Sequence, residues 1–155
     1  MTNNDMRIGA ALADIEHDLR RQLTSDAFVI GSAAVCLVGA DIDVADLDIL
    51  TTTDDARRLE QVWQSRRLHD YLPSDGGLFR SRFARYAFTA MPVEIMGGLE
   101  VCVEDAWQSV RIDESRPLDG YAARLRLPSP AELRRVLHLF GREKDCRRAA
   151  VLRDM

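Results

Sequence analysis

The stretch from Phe28 to Leu50, FVIGSAAVCLVGADIDVADLDIL, constrains this chain more than any other. Ala27-Phe28-Val29-Ile30 is a short apolar run ended by Gly31, the pattern of a buried strand. Residues 32–38 (SAAVCLV) predict a helix closed by Gly39. Thirteen residues separate Ser32 from Asp46, and Asp46-Leu47-Asp48-Ile49-Leu50 then alternates acidic and apolar residues with the strand period of two. A strand that delivers Gly31-Ser32 onto a helix start leaves free backbone N–H groups at the positive dipole end, an anion site. Glycine there lets a phosphate approach the backbone, and the serine hydroxyl adds a donor. Asp46 and Asp48 on one strand point to the same side, about 6–7 Å apart at Cα. Two such carboxylates can share hard divalent cations that bridge to phosphates, and without a cation or water between them they repel. Taken alone, an Asp-x-Asp pair also fits a solvated strand end.

The remaining chain predicts an α/β order: helix, strand, helix, strand, helix, strands, helices, with a mixed sheet. Ile8, Leu12, Ile15, Leu19 and Leu23 recur at helical spacing within Met6–Leu23, opposite a polar face holding Asp14, His17, Asp18 and Arg21. Asp54-Asp55 open a helix carrying Leu59, Val62 and Trp63, its acids suiting the N-terminal dipole. After Pro73 and Gly76-Gly77, residues 82–89 (RFARYAFT) and 93–96 (VEIM) read as strands joined at Met91-Pro92, and 99–103 (LEVCV) as a further strand. Ser129-Pro130-Ala131-Glu132 is a capping box with proline at the first helical position. Leu133, Val136, Leu137 and Phe140 form its apolar stripe, and Gly141 breaks or bends the segment before a last helix. The chain is expected to be one domain over 1–155, with an α/β core at 1–104 and C-terminal helices at 129–154.

Gly-Ser between strand and helix, the spacing to an apolar-flanked Asp-x-Asp and a later apolar-Glu-apolar strand together resemble the signature of the nucleotidyltransferase superfamily, the DNA polymerase β-like fold. The resemblance implies transfer of a nucleoside monophosphate from an NTP, ATP among them, to an acceptor hydroxyl, with release of pyrophosphate. It implies that Asp46 and Asp48 hold two Mg²⁺ ions. The third acid of the family falls on Val93-Glu94-Ile95, making Glu94 the third metal-site carboxylate and candidate base, with Glu100 in Leu99-Glu100-Val101 as the alternative. Gly31 and Ser32 would cradle the β- and γ-phosphates. Arg142-Glu143-Lys144-Asp145 matches an Arg-x-Lys-Asp element at the C-terminus of small bacterial members, antibiotic nucleotidyltransferases and abortive-infection-type toxins included, so Lys144 is a candidate phosphate contact. A lysine that many relatives carry one and a half turns earlier is absent, the chain having Leu137-His138 there. A chain this short implies a small-molecule or protein acceptor, with a homodimer or a protein partner, as in toxin–antitoxin pairs, as further possibilities. The alternative is a non-catalytic nucleotide-binding or partner-binding module of the same fold.

Other features bound these readings. Acids outnumber bases, 25 to 21, for a net charge of -4 and no basic tail, which disfavours a nucleic-acid polymer as partner. Lys144 is the sole lysine. Arg80, Arg82 and Arg85 form a basic cluster, read either as a contact for triphosphate or an acidic acceptor, or as a solvated sheet face. Trp63, Phe83 and Tyr86 are read as core because aromatics are scarce, at 6%. His17 and His138 have no evident acid–base partner. Three scattered cysteines, Cys36, Cys102 and Cys146, form no disulfide framework and suit a reducing cytoplasm. No apolar run approaches a membrane span, and the N-terminus lacks the order of a signal peptide.

Overall fold

In the computed structural model, residues 2–73, 75–122, 124–153 and 155 are described. Helix α1 (Asn3–Gln22) begins at a capping box, Thr2-Asn3-Asn4-Asp5. The Thr2 hydroxyl accepts from the Asp5 amide while the Asp5 carboxylate accepts from the Thr2 amide. Ile8, Leu12, Ile15 and Leu19 of the predicted stripe are buried along α1, with Ala11 added and Leu23 at its C-cap.

Strands β1 (Ala27–Ile30) and β2 (Leu47–Thr51) and helices α2 (Gly31–Leu37) and α3 (Thr53–Val62) follow the predicted order. The 3-10 turn Gln64–Arg66 precedes β3 (Phe79–Tyr86), and β4 (Val93–Val103) is one long strand where the sequence suggests two. Three short strands, β5 (Ala106–Ser109), β6 (Ser115–Pro117) and β7 (Leu125–Pro128), have no counterpart among the predicted elements. Among the described residues the sheet has seven strands in the order β3-β4-β2-β1-β7-β6, with β5 added to β4. It is mixed as expected: β1 is antiparallel to β2 and parallel to β7, and β2 is parallel to β4.

The two apolar clusters show which way each strand faces. Leu47 and Ile49 join α1, α2 and α3 in the main core, whereas Leu50 packs with Ile30, Leu99, Val101, Val136 and Phe140 in a smaller one. Alternation along β2 therefore turns Asp48 away from the main core. Trp63 and Tyr86 are core as predicted, edge to face at 5.1 Å, and the Trp63 indole donates to Asp18. Phe83 is a correction. It is half-buried outside both clusters and stacks on Tyr71 at 5.9 Å, because Ala84 and Tyr86 take the core-facing positions of β3.

Helix α4 (Pro130–Phe140) starts at Ser129 as predicted, but the box is only half closed. The Ser129 hydroxyl accepts from the Glu132 amide, while the Glu132 carboxylate accepts from the amides of Asp113 and Glu114 and from Arg135. That carboxylate thus ties the incoming loop to the helix instead of closing its own cap. Gly141, at φ 70°, ends α4 in the left-handed conformation before α5 (Glu143–Arg153). Of the C-terminal helical segment expected at 129–154, residue 154 lies outside the described residues. Among the described residues no helix is long and apolar enough to cross a membrane.

Candidate metal and nucleotide site

Strand register builds the site. Ile30 pairs with Asp48, Asp48 with Glu94 and Glu94 with Arg85, giving one lateral row across β1, β2, β4 and β3. Cross-strand partners in such a row project to the same face. Asp46 stands just before β2 and two residues from Asp48, so it joins the row from its end. The result is convergence. Asp46, Asp48 and Glu94 each place one carboxylate oxygen within 4.8 Å of the others.

Asp46 and Asp48 are half-buried, not the solvated strand end that Asp-x-Asp alone permits. Glu94 is 8% exposed, and Asp48 Oδ1 is enclosed with no hydrogen-bond partner among the described residues. An enclosed carboxylate oxygen without a donor is costly unless a cation or proton completes it. Burial, then the charges of Asp46 and Glu94, push the Asp48 carboxyl well above its ordinary range. Three converging carboxylate oxygens of hard character, with an unpartnered Asp48 oxygen in the same cluster, fit a divalent cation such as magnesium. Asp41 and Asp43, by contrast, are exposed.

Gly31 lies directly against this cluster. It adopts φ 69°, and a Cβ there would stand 2.5 Å from Asp48 Oδ2. The residue is glycine for two reasons at once, backbone conformation and space for the carboxylate. Ser32 follows it, buried in the first turn of α2, where no side chain caps the free backbone amides.

Glu100, the alternative third carboxylate, is on the wrong face. Arg82 pairs with Gly97 and Arg80 with Glu100, so β4 carries one extra residue between them, beside Gly98 at φ 63°. That bulge inverts the alternation: Val93 and Ile95 face the main core before it, Leu99 and Val101 the smaller cluster after it. Glu94 and Glu100, although an even number of residues apart, therefore face opposite ways. Glu100 instead takes a two-point ion pair from Arg80.

The arginine cluster divides. Arg80 pairs with Glu100 and lies over Trp107, and Arg82 pairs with Glu60 through two bonds of 2.9 Å, so both belong to a solvated sheet face. Arg85 alone enters the site, its Nη1 donating to Asp46 Oδ2 at 3.0 Å and Glu94 Oε2 at 2.5 Å. Its guanidinium also lies 4.4 Å from the Tyr71 ring. Burial and the nearby Glu94 charge, with Asp46 and Asp48, push the Tyr71 phenol upward. Tyr71 carries no sequence motif, and residue spacing, which groups Arg85 with Arg80 and Arg82, does not report its register to Glu94.

The Arg-x-Lys-Asp element is half structural. Arg142 donates to Asp145 at 2.6 Å and lies over Phe79, and Asp145 is buried, accepting also from the Arg142 amide. Lys144 is exposed in the first turn of α5. His17 and His138 are both exposed and outside the cluster.

No protein-family profile matches the chain, and no curated protein sequence does. Solved structures do. A candidate nucleotidyltransferase from Thermotoga maritima, TM1012, superposes with a TM-score of 0.65 at 21% identity, over 99% of this chain and 94% of that one. The antibiotic-resistance factor ANT(2'')-Ia superposes with a TM-score of 0.50 at 12% identity, over 96% of this chain and 80% of that one. With the carboxylates converging on β2 and β4 beside a Gly-Ser turn, and with these neighbours along nearly its whole length, the chain has the nucleotidyltransferase fold.

Proposed function

We propose that the protein is a magnesium-dependent nucleotidyltransferase that moves a nucleoside monophosphate from an NTP to a hydroxyl on a small molecule or a protein side chain. The observation that carries this reading is the enclosed, unpartnered Asp48 oxygen within a cluster of three carboxylates. Asp46 and Asp48 would hold two magnesium ions and Glu94 would complete the acceptor-side position. Bound there, magnesium supplies positive charge that neutralises the triphosphate and makes the acceptor hydroxyl more acidic.

The acceptor oxygen forms a bond to the α-phosphorus, the bond from that phosphorus to the β-bridging oxygen breaks, and pyrophosphate leaves. Glu94 would take the hydroxyl proton. Gly31 and Ser32 would bind the β- and γ-phosphates at the uncapped start of α2 and orient them for in-line displacement. Lys144 would add a phosphate contact from the exposed first turn of α5.

Titration of the purified protein with each NTP, with and without Mg²⁺, tests this. Metal-dependent binding that the Asp46→Asn/Asp48→Asn double variant abolishes is the expected result, and no binding at millimolar nucleotide overturns the reading. Pyrophosphate release with a candidate acceptor separates an enzyme from a module that only binds nucleotide.

A further inference from the structure

Arg85 reaches into the carboxylate cluster. Its Nη1 bridges Asp46 and Glu94, taking a lone pair from each of the two carboxylates. The bridge is built into the backbone, because Arg85 is the direct register partner of Glu94. Its side chain is only 17% exposed, with the Tyr71 ring against it. No other ion pair reaches these three acids among the described residues. One guanidinium cannot satisfy them all: Asp48 Oδ1 remains without a partner beside it.

We propose that Arg85 is an internal counter-ion of the metal-free protein that competes with the divalent cation for Asp46 and Glu94, and so is a positioning residue that sets metal affinity. This rests on the reading of Asp46, Asp48 and Glu94 as metal ligands. Without a metal, three clustered carboxylates repel one another, and the guanidinium holds two of them at bonding distance. With a metal, the same lone pairs are needed for coordination, and a resident positive charge nearby opposes the incoming one. The β3–β4 register fixes the Arg85 backbone, so the exchange is a side-chain rotation away from the two carboxylates and requires no strand movement. The cation is thus bound more weakly than a bare set of three carboxylates would bind it, and the ligand-free fold is protected from their repulsion.

Mn²⁺, titrated alone and followed by electron paramagnetic resonance, tests this on the wild type, Arg85→Gln, Arg85→Lys and Asp46→Asn. The expected result is a Kd for Mn²⁺ at least about tenfold lower in Arg85→Gln than in the wild type. The chelator-treated variant should also melt below the wild type and gain more on Mn²⁺ addition. Arg85→Lys, whose single ammonium spans the two carboxylates poorly, should show a smaller gain, and it decides the matter if Arg85→Gln does not fold. Mn²⁺ binding that Asp46→Asn removes but that neither Arg85 substitution strengthens overturns this proposal and leaves the metal site standing. No Mn²⁺ binding to any of the four proteins overturns both.

Discussion

Gly31 and Asp48 are packed so closely that one additional carbon separates a formed site from a blocked one. The Cβ of any other residue at 31 would lie 2.5 Å from Asp48 Oδ2, with the backbone held at φ 69°. Gly31→Ala should therefore cost about 1–3 kcal/mol of stability through backbone strain. It should also weaken divalent-metal binding by at least about tenfold, because Asp48 must turn away. Urea unfolding and Mn²⁺ titration on the same preparation measure the two effects.

Asp48 carries a stability cost. Its carboxyl is held well above the ordinary 3.8 by burial, then by the charges of Asp46 and Glu94. Between the unfolded and folded values the folded protein binds more protons than the unfolded chain, so stability falls as pH rises through that window. Above the folded value the full penalty remains. Asp48→Asn should consequently raise the thermal midpoint of metal-free protein at neutral pH and flatten the fall between acid and neutral, while abolishing metal binding. Thermal melts across pH in the presence of a chelator are the check.

Glu94 and Glu100 offer a matched pair. Glu94→Gln should reduce Mn²⁺ affinity by at least about tenfold, since it removes a charged ligand. Glu100→Gln should leave that affinity unchanged, because the bulge beside Gly98 points Glu100 to Arg80 on the other face. Equal effects from the two substitutions would contradict the strand register.

Tyr86 buries a hydroxyl that has no hydrogen-bond partner among the described residues, and burial pushes its phenol up to about 12. Removing an unsatisfied buried group is neutral or favourable. Tyr86→Phe should change stability by no more than about 1 kcal/mol, in the stabilising direction, with the Trp63 contact retained. Denaturant unfolding of the variant decides it.

The predicted elements divide by how local their signals are. The α1 stripe, the α4 start at Ser129 and the stop at Gly141 follow from helical period and cap chemistry, which depend on neighbours within one or two turns. Strands β5 and β6 escape because they are mostly exposed and carry no apolar run like that of the equally short β1, and β7 because Arg126 interrupts its run. Their place in the sheet comes from partners distant in sequence, as with Leu125 of β7 beside Ala27 of β1. Glu132 looks like a reciprocal cap in the sequence and is diverted to the Asp113 and Glu114 amides, which the intervening chain brings to it.

By itself the sequence determined the strand–Gly31–Ser32–helix turn and the setting of Asp46 and Asp48 two residues apart at the entry to β2, because glycine chemistry and a period of two act over a few residues. It also supplied Glu94, but only as one of two candidates of identical local form. Tertiary structure alone chose between them, through the β2–β4 register that sets Glu94 beside Asp48 and the bulge that turns Glu100 away. It alone separated Arg85 from Arg80 and Arg82 and aimed it at the carboxylates. Both decisions are matters of register, and register is set by pairing between distant segments, where a single added residue reverses the face a side chain presents.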